Sequence, residues 1–109
     1  MLIQCRAINL AMTEAIENYI HKKVEPLIKF LAKMGEVPEA WAEVKHNTTH
    51  HKKGNVFSAE IHVKLPGNNI RAEAESSDLY AAIDECKDLL KRQILDHKDY
   101  LTKKQRVKK

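Results

Sequence analysis

Lysines at helical spacing are the residues of this chain best suited to do chemistry, and the chemistry is attraction for phosphate. With residues set at intervals of roughly 100°, Lys22, Lys29 and Lys33 fall within about 40° of one another, with Lys23 alongside. Further on, Tyr80, Lys87, Lys91 and Lys98 stack along one line, again within about 40°. Arg92 stands on a more solvent-facing side with Asp88, Asp96 and Asp99. Two basic ridges held side by side would make a positive double rail. Such a rail suits a phosphate backbone, above all that of structured RNA recognised by shape. Composition alone weighs this equally against lysines that only keep a small domain soluble.

Charge is distributed unevenly. The net charge is +4 over 109 residues. Residues 87–109 hold nine Lys/Arg against three Asp, +6, and residues 1–86 hold ten Lys/Arg against twelve Asp/Glu, −2. The positive excess therefore belongs to the last part of the chain, and such polarity draws polyanions such as nucleic acid or anionic membranes.

Other chemistry is poorly supplied. Three glycines, none in a phosphate loop, leave no sequence-visible dinucleotide or Walker site. No Ser or Cys has a nucleophile context, and the carboxylates fall on solvent faces of helices. The expectation is a non-enzyme with no cofactor and no small-molecule substrate. His46, His50 and His51 cluster beside Lys52 and Lys53, with His62 beyond. Their spacing matches no metal motif, and the lysines repel a cation. No metal site is expected, and the cluster reads as a flexible basic loop. Cys5 and Cys86 lie far apart without ligand spacing and read as two core thiols.

The elements that must carry the lysines follow from periodicity. Residues 2–7 alternate as a short strand. Thr13 is a good N-cap, with Glu14 in the first turn. Ile16, Ile20, Val24, Leu27, Leu31 and Met34 then recur at steps of three and four, an amphipathic helix that Gly35 stops. Pro26 lies inside it and should bend or break the helix near Lys22–Val24. Strands follow at 40–47 and 56–65, and "PGNN" turns into a fourth strand from Ile70. Ser77 or Asp78 caps a last helix whose apolar stripe is Leu79, Ile83, Cys86, Leu90, Ile94 and Leu101. The order is β-α-β-β-β-α. The expected fold is an α+β two-layer sandwich, a four-stranded sheet with both helices on one face. Residues 1–101 form one domain, and 102–109 are expected to be a basic disordered tail. Without a signal peptide or a membrane-length apolar run, a cytoplasmic protein with no membrane partner is expected.

Three stretches in register resemble one family. "AEAESSDLYAAID" with Leu90, Arg92-Gln93-Ile94 and His97-Lys98-Asp99 is similar to the ribosome hibernation-promoting factor family, formerly labelled sigma-54 modulation proteins. Asn9-Leu10, Met12 to Ile16 and Tyr19-Ile20 resemble its first helix, and "HVKLPGNNIRAEAE" falls where the family has its hairpin. The similarity covers about residues 1–100 apart from 46–54. It implies a shape like that of double-stranded-RNA-binding domains. It also implies a partner, the small ribosomal subunit and its rRNA, met in the channel used by messenger RNA and the A- and P-site transfer RNAs. Occupying that channel blocks translation and holds ribosomes idle in stationary phase or stress, without covalent chemistry.

The family's basic positions correspond here to Lys23, Pro26 and Lys29 in the first helix and to Leu89, Arg92 and Asp96 in the last. Charge is lost or reversed at Pro26, Leu89 and Asp96. Lys22, Lys33, Lys87, Lys91 and Lys98 could replace it on rotated faces, which is a geometric inference. The chain resembles the family's short form, monomeric off the ribosome. Two rivals remain: a regulator of a transcription protein, and a metal-binding domain using His46, His50, His51 and His62.

Overall fold

The computed structural model describes residues 3–47 and 56–107, with side chains as far as Asp99. Its elements are β1 (Ile3–Ile8), α1 (Glu14–Lys33), β2 (Glu39–Asn47), β3 (Val56–Leu65), β4 (Asn68–Ser76) and α2 (Leu79–Val107). The strands form one sheet in chain order, β1 parallel to β2 and the other neighbours antiparallel. Parallel neighbours need a crossover, and α1 is that crossover.

Period-two alternation decides which face of the sheet is dry. Ile3, Ala40, Ala42, Val44, Ala59, Ile61, Val63, Leu65, Ile70 and Ala72 are all buried on one face. The register sets Ala42 against Ile61 and Ile61 against Ala72, small beside large, so side chains from above can interdigitate. Ile16, Ile20, Val24, Ile28 and Leu31 of α1 fill that space beside Leu79, Ala82, Ile83, Cys86, Leu90 and Ile94 of α2. The stripe of α1 runs through Ile28, which is 0% exposed, where periodicity pointed to half-buried Leu27. Both cysteines are free thiols, Cys86 buried and Cys5 half-buried.

The helix ends are set by local chemistry. Thr13 Oγ1 accepts the Ile16 N–H at 3.1 Å, and Asp78, not Ser77, caps α2 by accepting the Ala81 N–H at 3.2 Å. At the end of α1, Gly35 takes φ +89. The Gly35 N–H reaches the Ala32 carbonyl at 3.0 Å and the Glu36 N–H the Leu31 carbonyl at 3.1 Å, the Schellman pattern. Gly67 (φ 77) with Pro66 closes the β3–β4 turn, so β4 starts at Asn68, ahead of Ile70.

Two boundaries differ from the expectation. Pro26 does not break α1, which is continuous from Glu14 to Lys33. It sits at an exposed position, so the Lys22 carbonyl that loses its donor can turn to water. Helix α2 passes Leu101 and reaches Val107, into the segment expected to be a disordered tail. Lys103, Lys104, Gln105 and Arg106 are good helix formers, no Gly or Pro interrupts them, and cations suit a helix C-terminus.

One buried polar residue was not anticipated in the stripe of α2. His97 is 8% exposed. Asn68 Nδ2 lies 3.0 Å from its Nδ1, and its Nε2 lies 2.9 Å from Glu36 Oε1. This contact ties the loop after α1, the β3–β4 turn and α2 together at one end of the molecule.

Pro26→Ala restores one helical hydrogen bond without touching the core. It is expected to raise stability by about 1–3 kcal/mol in a urea titration. Ile28→Ala, which opens a cavity where α1 meets the sheet, is expected to lower it by about 2–5 kcal/mol in the same measurement.

Candidate nucleic-acid interface

Both apolar stripes point at the sheet, so the polar faces of α1 and α2 share one outward surface. The helices run side by side in the same direction. Tyr19 of α1 meets Tyr80 and Asp84 of α2, and Phe30 meets Lys98. Lys22, Lys29 and Lys33 are exposed on the side of α1 turned away from the sheet. Lys91 and Lys98 are exposed on the flank of α2 that faces α1.

The seam between the helices is a mixed aromatic and charged network. Tyr19 donates its hydroxyl to Asp84 Oδ1 at 2.7 Å, and Tyr80 meets the Tyr19 ring edge-on at 4.8 Å. The Lys23 ammonium lies 3.5 Å from Asp84 Oδ1 and 5.3 Å from the centre of the Tyr19 ring. The Asp84 hydrogen bond, with burial, pushes the Tyr19 hydroxyl up to about 12. Lys87 bonds Asp88 Oδ1 at 2.7 Å and holds that carboxyl below its usual range. Lys98 lies 5.8 Å over Phe30. Tyr80, matched by the resemblance, therefore packs against the first helix.

The eight cations read from the sequence are thus in three situations. Lys23 and Lys87 already have aspartate partners in the seam. Lys22, Lys29, Lys33 and Lys91 form no ion pair with the described residues, and with Lys98 they line the outward face. Arg92 stands apart, on the opposite flank of α2, in a depression with Glu73, Glu75, Glu85 and Asp88. Asp84 and Asp88 also offset part of the positive charge along the seam.

The outer face of the sheet is different in kind. Arg6 pairs with Glu43 at 3.3 Å, Arg71 pairs with Glu60, and the Trp41 and His62 rings lie 5.8 Å apart. The register also sets Glu43 against Glu60 and Glu60 against Glu73, so a row of glutamates crosses this face beside the two arginines, and among the described residues it offers no basic ridge.

The histidine group does not assemble among the described residues. His46 stacks on Phe57 at 4.7 Å on the helix-bearing side of the sheet, and His62 lies beside Trp41 on the other side. A strand turns successive side chains to opposite faces, so the odd separation of Phe57 and His62 on β3 puts His62 on the face opposite His46, which is registered with Phe57. His50, His51, Lys52 and Lys53 lie outside the described residues. Sequence reasoning missed another set. Cys5, Glu17 and His21 bring a sulfur, a carboxylate oxygen and a ring nitrogen within 4.8 Å of one another. The signal was present: Glu17 and His21 are one turn apart on α1, and Cys5 is an inward position of the strand beside it.

Comparison with known proteins places this architecture. The family model described as Sigma 54 modulation protein / S30EA ribosomal protein matches residues 3–102. A ribosome hibernation promotion factor of Staphylococcus aureus (strain COL) is 35% identical over 98 residues, 90% of this chain and 48% of that protein. The chain thus spans about half the length of that relative. The crystal structure of the Thermus thermophilus Protein Y N-terminal domain superposes with a TM-score of 0.65 at 37% identity, covering 86% of this chain and 96% of that one. A ribosomal subunit interface protein from Coxiella burnetii shares the fold, with a TM-score of 0.74 at 23% identity over 91% of this chain and 99% of that one. Among the described residues no helix is long and apolar enough to cross a membrane. With nearly its whole length matched and its strand and helix order the same, this chain belongs to the Sigma 54 modulation protein / S30EA ribosomal protein family.

Proposed function

We propose that this chain is a ribosome-binding inhibitor of translation. It docks on the small ribosomal subunit, in the channel used by messenger RNA and the A- and P-site transfer RNAs, and keeps ribosomes idle in stationary phase or stress. The observation that carries the reading is the shared outward face of α1 and α2, where Lys22, Lys29, Lys33 and Lys91 are exposed and in no ion pair with the described residues. Family membership and the hibernation factor among the relatives support a ribosomal partner.

The mechanism needs no bond-making. Helices packed about 8–10 Å apart carry their basic ridges at a spacing suited to phosphates across an RNA groove. Each ammonium that neutralises a phosphate releases a condensed counterion, and the rigid sheet behind the helices fills space that messenger and transfer RNA would need. Lys23 and Lys87 contribute less per charge, because an incoming phosphate must compete with Asp84 and Asp88. Arg92 contributes least, screened from RNA by its glutamate neighbours. Off the ribosome the protein is a cytoplasmic monomer in this reading.

Co-sedimentation of the pure protein with salt-washed small subunits tests it. Saturable binding is expected to weaken roughly 100-fold between about 50 and 200 mM salt, as a few phosphate contacts require. The triple variant Lys22→Glu, Lys29→Glu, Lys33→Glu is expected to lose binding at all but the lowest salt. Arg92→Glu is expected to stay within about twofold of the parent, since it adds one acid to an already acidic depression. Absence of binding at low salt, or a triple variant that binds like the parent, would contradict the proposal.

A further inference from the structure

The geometry points to a second site, unrelated to RNA: Cys5, Glu17 and His21 form a binding site for a borderline divalent transition metal such as Zn²⁺ that fastens β1 to α1. Four observations converge on it. The ligand atoms come from adjacent elements and lie within 4.8 Å of one another. Tetrahedral ligands bonded at roughly 2.0–2.3 Å stand roughly 3.5 Å apart, and the exposed Glu17 side chain can close that gap. The ring of His21 is oriented by a further carboxylate, since its Nδ1 lies 2.8 Å from Glu25 Oε2 while its Nε2 faces Glu17 at 4.0 Å. A carboxylate on the far nitrogen fixes the tautomer that leaves Nε2 free for a metal, the arrangement common around zinc. Finally, Cys5 is half-buried and Glu17 exposed, which gives both a protected sulfur and a path of entry.

The ligand set selects the ion. One thiolate, one imidazole and one carboxylate mix soft and hard donors, which suits Zn²⁺ or Co²⁺ better than Cu(I), Mg²⁺ or Ca²⁺. Three protein ligands leave a fourth position for water. The thiolate and the Glu17 carboxylate together balance a divalent charge, and Glu25 with the nearby Lys29 completes the surroundings. Ligation has a proton cost. In the free protein the Cys5 thiol points to the Ile3 carbonyl at 3.8 Å. Binding therefore breaks the S–H bond, forms the metal–sulfur bond and releases one proton to solvent.

The site separates from the helical face by position. Glu17, His21 and Glu25 lie on the flank of α1 above β1, whereas Lys22, Lys29 and Lys33 point outward. Lys29, beside Glu25, is the one RNA-face cation near the site, so the metal ligands are varied without changing Lys22, Lys33 or Lys91.

Co²⁺ titration of the full chain, followed by absorbance, is the test. The expected result is one equivalent bound, with a thiolate-to-cobalt charge-transfer band and the intense visible bands of four-coordinate cobalt, and displacement by Zn²⁺. Cys5→Ser is expected to abolish the charge-transfer band, and Glu17→Gln and His21→Ala each to weaken binding at least tenfold. Glu25→Gln, a positioning change, is expected to weaken it about tenfold and leave the band in place. Glu17→Gln and His21→Ala change side chains outside the core, so they keep the test decisive if Cys5→Ser folds poorly; circular dichroism without metal checks each variant. Absence of a charge-transfer band in the parent protein would overturn the site. So would cobalt binding that is unchanged in both His21→Ala and Glu17→Gln, which would assign the ion to other histidines.

Discussion

The sheet has one apolar face, and only two helices are available to keep water from it. That constraint organises everything else. Ala40, Ala42, Ile61, Val63, Ile70 and Ala72 cannot be covered by one helix, so α1 and α2 must lie side by side with their stripes turned the same way. Their polar faces then have no choice but to form a common outer surface. Lysines that are far apart in the chain become neighbours in space because hydrophobic burial rotates both helices to the same orientation.

The two sides of the molecule differ in electrostatic character as a result. On the sheet's solvent face, Glu43, Glu60 and Glu73 stand in a row across the strands, offset by Arg6 on Glu43 and Arg71 on Glu60. The helical side turns Lys22, Lys29, Lys33 and Lys91 outward and holds carboxylates in the seam, where Asp84 receives both the Tyr19 hydroxyl and Lys23. The seam network fixes how the helices sit against each other, with the Tyr19–Tyr80 contact as its apolar part. Its cost is some positive potential, which the outward lysines and the basic stretch of α2 restore. At the other end, the His97 contacts to Asn68 and Glu36 hold the same two helices in register with the hairpin.

Much of this was legible from residue spacing. Period-two alternation located all four strands, and Thr13, Gly35 and the Ser77-Asp78 pair marked helix ends, because such signals act within a few residues. What escaped depended on partners distant in sequence. Ile28 replaced Leu27 in the stripe because the packing direction of α1 is set by the sheet, not by its own pattern. His97 was absent from the expected apolar stripe, and its burial depends on hydrogen bonds from Asn68 and Glu36. Pro26 was expected to disrupt a helix that tertiary packing on Ile20, Val24, Ile28 and Leu31 holds intact. Among the candidate cations, helical angles already set Arg92 apart from the lysine ridge and the resemblance brought it in, but the glutamates of β4 beside it appear only when α2 is laid across the sheet. Cys5, Glu17 and His21 escaped for the same reason: the chemistry is split between a strand and a helix.

The most direct measurement is an electron cryomicroscopy structure of the protein bound to the small ribosomal subunit. The outward face of α1 and α2 should lie against ribosomal RNA in the messenger and transfer RNA channel. Lys22, Lys29, Lys33 and Lys91 should stand at phosphate distance, with the Trp41 face of the sheet turned away. Density elsewhere on the subunit, or an RNA contact made by the outer face of the sheet, would contradict a function built on the shared helical surface.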